Sequence, residues 1–281
     1  MNRPVLTFAL LAMVLSGCAV TSPTADETAD PGASADATSS AAIPAEPIES
    51  VDPTGMWRVS QAKGAIAETW LYLGGHVAVW TRCGTTEGEW NTRGNQFVAA
   101  LFMSTRRTCD SNDFSTDAPW LYEATGVRPS GEGFDLVDGD GETVAHLSAD
   151  GSPPSETRAE YRYAPVSDRT EPEFNSLPAD ALVATDIVGE WIDPEHSDDN
   201  TFIEFRDDGS WAGSDGCNRT GGRWVLGEAG LLVVASGIRT LIGCDGSDVA
   251  ELASVATGVA ATSTGLTFYG PDGVLVSVVA K

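Results

Sequence analysis

Thiols carry the most chemistry in this chain. It has five cysteines: Cys18, Cys83, Cys109, Cys217 and Cys244. A thiol can be acylated, bridged, bound to a metal or used as a nucleophile, and position decides among these. Cys18 ends Leu15-Ser16-Gly17-Cys18, directly after the apolar run Val5 to Leu15. A run of eleven residues is too short to span a bilayer and fits the core of an export signal. The tetrapeptide resembles a bacterial lipobox. That resemblance implies cleavage before Cys18, a diacylglycerol on its sulfur, and residues 1–17 as the signal peptide. The alternative is an ordinary secretory peptide with an incidental Cys. Two or more acyl chains would hold the protein at the extracytoplasmic face of the cell membrane.

The other four cysteines divide two and two. In an exported protein they read as the bridges Cys83–Cys109 and Cys217–Cys244. Each closes a loop of roughly 27 residues, worth about 3–4 kcal/mol in the chain-entropy model. A four-Cys metal site is the alternative, but the close C-x2-C spacing of zinc sites is missing.

Other chemistry is thinner. Asp138, Asp140 and Glu142 group acids near a turn without filling the twelve-residue calcium loop, and Asp207-Asp208 is a shorter pair. His76, His146 and His196 are the histidines, and no Gly-x-Ser-x-Gly accompanies them. His196, near Asp198 and Asp199, reads as part of a polar loop. Asn218-Arg219 beside Cys217 is a candidate recognition turn, with Arg219 able to meet an anion. The competing reading is a structural turn in which Asn218 bonds the backbone and tolerates a left-handed conformation. No catalytic set, cofactor or metal is expected.

The elements behind these residues repeat. Trp57, Cys83 and Trp90 stand 134 residues before Trp191, Cys217 and Trp224, and Gly55, Gly75 and Gly88 match Gly189, Gly209 and Gly222 at that offset. Cys109 and Cys244 match at 135. Thr125-Gly126-Val127 matches Thr257-Gly258-Val259 at 132, as do Gly133/Gly265 and Asp140-Gly141/Asp272-Gly273. The chain therefore reads as a tandem duplication of one module. The shared tryptophans are expected in cores. Trp70, Trp80, Trp120 and Trp211 have no Trp counterpart and are weaker candidates for a binding surface.

Hydrophobic pattern predicts a mainly β (α+β) fold: two tandem small β-barrel or curled-sheet domains, each with one helix and one disulfide. Strands are expected at Thr69–Leu73, Thr201–Phe205, Phe97–Leu101 and Leu231–Val234, with closing hairpins near 134–147 and 266–279. A helix is expected after the second Cys of each copy. In the second copy Asp248 and Glu251 suggest a capping box, and Val249, Leu252, Val255 and Val259 an apolar face. Residues 18–50, rich in Ala, Ser, Thr, Pro and acids, read as a disordered tether. The first domain is placed at 51–150. A linker follows at 151–184, where Tyr161-Arg162-Tyr163 could add a strand. The second domain is placed at 185–281 and is expected to fold alone.

At Gly216-Cys217-Asn218-Arg219, Gly221-Gly222 and Arg239-Thr240-Leu241-Ile242-Gly243-Cys244, the second copy resembles the META domain of HslJ-like bacterial lipoproteins. The first copy is divergent: it keeps Cys83, Gly88, Trp90, Thr105 and Cys109 but has Gly84-Thr85 in place of Asn-Arg. The resemblance implies a compact β-rich envelope module and brings no catalytic residue or cofactor. Charge narrows the partners: 41 acidic against 16 basic residues give −25, which disfavours nucleic acid and anionic lipid headgroups. The expectation is a non-catalytic lipoprotein with a binding or stress-related envelope role. Its partners would be the membrane, through the lipid, and an envelope protein or small ligand. The alternative is an inhibitor presenting a loop to a secreted or envelope hydrolase.

Overall fold

The computed structural model describes residues 50–65, 68–81, 83–106, 118–149, 177–196, 200–243 and 246–281. Cys18, the tether, Cys109, Cys244, Asp198-Asp199 and Tyr161-Arg162-Tyr163 lie outside them, and so do the expectations that rest on them.

The protein is mainly β. Eight antiparallel strands form a closed barrel: β1 (Gly55–Ser60), β2 (Thr69–Leu73), β3 (Val77–Thr81), β4 (Gly84–Arg93), β5 (Gln96–Arg106), β6 (Gly126–Ser130), β7 (Gly133–Val137) and β8 (Thr143–Ser148). A short helix, α1 (Pro119–Glu123), precedes β6. Nine strands form a second sheet: β9 (Leu182–Val183), β10 (Gly189–Ile192), β11 (Thr201–Phe205), β12 (Ser210–Asp215), β13 (Arg219–Leu226), β14 (Leu232–Ser236), β15 (Gly258–Ala261), β16 (Gly265–Gly270) and β17 (Gly273–Ala280). Its helix, α2 (Val249–Ser254), precedes β15. Apart from β9, the second sheet repeats the barrel strand for strand, with β1–β8 corresponding to β10–β17.

The repeated residues explain themselves in this frame. Thr125-Gly126-Val127 and Thr257-Gly258-Val259 lie at the seam where each sheet curls onto itself. In the barrel Gln96 pairs with Gly126, and Phe97 N–H donates to Thr125 O at 3.0 Å. In the second sheet Leu231 bridges Gly258, and Leu232 N–H donates to Thr257 O at 3.1 Å. Gly88 and Gly222 are strand positions with no room for a side chain. A Cβ there would stand 1.9 Å from Ala100 O and 1.9 Å from Ala235 O, respectively. Gly133 and Gly265 are equally tight, at 1.9 Å from Leu147 O and 1.8 Å from Val278 O. The tryptophans repeat in bonding too. Trp57 Nε1 donates to Pro53 O at 2.7 Å, and Trp191 Nε1 to Ile187 O at 2.8 Å.

Each copy encloses its own core. Leu71, Val79, Trp90, Phe97, Trp120 and Leu136 fill the barrel. Ile203, Phe205, Trp211, Leu232, Val259 and Phe268 fill the second sheet. Of the copy-specific tryptophans, Trp120 and Trp211 are thus core residues, and Trp70 pairs with Trp80 across β2 and β3 in a separate buried cluster with Tyr72. None of the four lies on an exposed surface, contrary to their reading as binding candidates.

Local details differ from expectation. The second helix ends at Ser254, so Val255 is exposed and Val259 lies in β15. Its inner face is made by Val249, Ala250 and Ala253. The chain must leave the helix early to place Thr257, whose N–H donates to Tyr269 O, in the seam. Asp248 sits at the N-cap without a side-chain bond, and Glu251 is drawn to Arg239 instead.

Residues 47–281 form one compact unit. The second sheet takes in the end of the expected linker: β9 pairs with β15, and Ala184 is in the core. The barrel also packs on the second sheet. Val98 and Ala100 meet Val233 and Ala235, while Asn91 Nδ2 donates to Val234 O at 3.0 Å and Arg93 Nη1 to Leu232 O at 2.8 Å. These side chains cover the main chain of β14, a sheet-edge strand that would otherwise offer bare carbonyls.

Candidate functional site

The turn between β12 and β13 carries the Gly216-Cys217-Asn218-Arg219 motif. Gly216 holds its positive φ, +96°, rather than Asn218. Asp215 organises the turn from the end of β12. Its Oδ1 accepts Cys217 N–H at 2.9 Å and Asn218 N–H at 2.5 Å, and its Oδ2 accepts Asn218 Nδ2 at 2.8 Å. Arg239 adds an ion pair to the same carboxylate at 3.3 Å. Burial opposes the charge on Asp215, but the Asn218 and Cys217 donors and Arg239 outweigh it and lower the pKa from 3.8 to about 2.

Asn218 is the hinge of the arrangement. It is 5% exposed. Its Nδ2 also donates to Ile242 O at 2.8 Å, and its Oδ1 accepts Ile242 N–H at 2.6 Å. The side-chain amide therefore pairs with residue 242 as a neighbouring strand would, and it clamps the loop Gly237–Gly243. Further bonds fix the loop along its length. Gly237 N–H donates to Gly221 O at 2.6 Å, and Arg219 N–H to Thr240 Oγ1 at 3.2 Å. Arg239 reaches from the loop to Asp215 and to Glu251 on α2.

The clamped loop presents apolar groups to water. Leu241 is 87% exposed, Ile238 70% and Ile242 62%. Arg219 is exposed beside it. The sequence singles out the Asn-Arg turn and offers Arg239-Thr240-Leu241-Ile242-Gly243-Cys244 only as a motif.

The remaining candidates have structural settings. Asp138 Oδ1 accepts the N–H groups of Asp140 (3.0 Å) and Glu142 (2.9 Å), which folds the acid group into the β7–β8 turn. Asp208 Oδ1 accepts Ser210 N–H in the β11–β12 turn. His146 Nδ1 lies 2.7 Å from Asp135. His196 Nδ1 lies 2.9 Å from Asp193 Oδ2, which also accepts Ser247 Oγ–H at 2.7 Å. This brings Ser, Asp and His together in the wrong order for acyl transfer. The carboxylate lies between the other two, whereas a triad needs the imidazole between Ser and Asp. Asp193 stays below the usual carboxylate range: burial raises it, but Ser247, Glu195 N–H and His196 outweigh that.

A cleft of about 710 Å³ opens between the copies, lined in part by Tyr122, Glu123, Asp138, Asp208 and Arg223. Arg223 is engaged there as a tie. It donates to Asp208 O and to Tyr122 O, each at 2.7 Å, and lies 5.7 Å from the Tyr122 ring centroid.

No helix among the described residues is long and apolar enough to cross a membrane. Compared with protein-family models, curated proteins and solved structures, the chain matches none of them.

Proposed function

We propose that the chain is a lipid-anchored, extracytoplasmic binding protein built from two META-like modules, and that the Gly237–Gly243 loop is its binding element. Cys18 carries the lipid, residues 18–50 are the tether, and the activity is non-catalytic. The observation that carries the binding role is the clamp on the loop. Asn218, Asp215 and Arg239 fix main chain whose side chains, Ile238, Leu241 and Ile242, stand in water. Exposed apolar groups on a fixed support mark interaction surfaces. Asp215, Asn218, Arg239 and Thr240 around them act as braces, which supports a non-catalytic reading.

Strand pairing supports one disulfide per copy. Cys83 adjoins Gly84, which pairs with Arg106, three residues before Cys109. Cys217 adjoins Asn218, whose amide bonds Ile242, two residues before Cys244. A second reading, a loop offered to a hydrolase, draws on the same clamp, because a rigid loop resists being drawn into a reactive pose.

Two variants test the proposal. Cys18→Ala should move the protein from the membrane fraction and abolish labelling by a fatty-acid probe, and equal labelling contradicts the anchor. Leu241→Ser/Ile242→Ser should stay anchored yet lose the partners captured by the wild-type chain from solubilised envelope. An unchanged partner set contradicts the loop.

A further inference from the structure

The loop is tied down along its length. Its main chain is tied at Gly237, Thr240 and Ile242, and its one charged side chain reaches two separate elements. A loop ordered in advance loses little conformational entropy on docking, so its apolar area counts more fully towards affinity. An apolar projection of this kind fits an apolar pocket.

Charge selects what surrounds that pocket. Arg239, the only charge between Gly237 and Gly243, is matched by two carboxylates, Asp215 and Glu251. With Arg219 exposed beside the loop, these charges balance and the loop itself is neutral. The chain behind it carries −25 with a pI near 4.2. Such a body repels an anionic lipid surface and a second copy of itself, and it attracts cationic surfaces.

We propose that the loop docks into an apolar pocket on a basic protein, with Ile238, Leu241 and Ile242 as the anchor and the acidic body as the steering field. This rests on the reading of the loop as the binding element and adds the class of partner. Polar rims around a small apolar anchor are the common anatomy of such contacts. The electrostatic part acts mainly on encounter, so it weakens with salt, while the anchor governs dissociation.

Site-specific photocrosslinking tests this on the lipidated full chain, in washed membranes mixed with the soluble extracytoplasmic fraction of the host. The probe is p-benzoylphenylalanine in place of Leu241, with the same probe at Val274, 62% exposed on the closing hairpin, as control. The proposal expects a saturable adduct at 241 and not at 274, with a protein whose pI is above neutral. Its yield should fall about tenfold when NaCl rises from about 0.05 to 0.5 M, and Ile238→Ser/Ile242→Ser should remove it. An adduct with an acidic protein, or one indifferent to salt, overturns the basic partner and leaves the loop as a binding element. Adducts with lipid alone overturn it in favour of a membrane contact. Yield at 241 no higher than at 274 overturns both the partner class and the binding role of the loop.

Discussion

Asn218 shows how a residue singled out as a recognition candidate acts through what it holds. Both amide protons and the amide oxygen are engaged, two of the three bonds running to Ile242. Asn218→Ala removes them together. Each net bond contributes about 1 kcal/mol, and the released groups of Ile242 can turn to water, so the expected loss is about 1–2 kcal/mol of global stability. The larger effect is local: the Ile242 amide should exchange its hydrogen at least tenfold faster while the amides of β11 stay protected. Equal exchange in variant and wild type contradicts the clamp. Asp215 makes the same clamp sensitive to acid. Its carboxyl is at about 2 in the folded protein against an ordinary 3.8. The stabilisation is therefore complete above about pH 4 and is lost as pH falls through 3.8 towards 2. Protection at Ile242, taken relative to the intrinsic exchange rate at each pH, should fall over that window, and Asp215→Asn should flatten the response. A pH response retained in Asp215→Asn would place the titrating group elsewhere.

At the scale of elements, residues under steric or bonding constraint were legible and Gly- and Thr-rich strands were not. The cysteine–tryptophan–glycine ruler marked the duplication because those positions are fixed by close backbone approach at Gly88 and Gly222 and by the seam at Thr125 and Thr257. Hairpins at 69–81 and 265–280 follow from alternation and turn residues. Strands β4 and β13 escaped, because Gly84, Gly88, Gly221 and Gly222 interrupt them, and glycine weakens a strand pattern. The second helix is shorter than its apolar spacing predicts, since periodicity cannot tell that Val259 continues as strand. The exposed loop escaped too, because an apolar run reads as buried until the clamp from Asn218 is seen. The tight glycines give a direct check. Gly222→Ala puts a methyl into Ala235 O and must part β13 from β14. A loss of about 3 kcal/mol is expected, at the upper end for an overpacked site, with a similar loss for Gly88→Ala. A thermal midpoint unchanged by either variant contradicts the register.

At the scale of the whole molecule, the two copies are separate in core and joined at one face. Arg93, 7% exposed, donates from the barrel to β14 of the second sheet. Arg93→Ala should lower stability by about 1.5–3 kcal/mol, the range for a hydrogen bond from a charged donor. It should also expose β14 of the second copy to exchange, whereas a loss confined to the barrel would contradict the joint. The joint also bears on the expectation that 185–281 folds alone. Such a piece lacks β9 and uncovers Val233 and Ala235, so it should be less stable than the joined chain. The proposed molecule is an anchored chain of two modules, each closed by its own bridge. Non-reducing peptide mapping of protein extracted from membranes reads the anchor and the bridges together. The expected result is an N-terminal peptide that begins at a diacylated Cys18, with Cys83 linked to Cys109 and Cys217 linked to Cys244. Free thiols at these four positions, a bridge between the copies, or an unmodified Cys18 would contradict it.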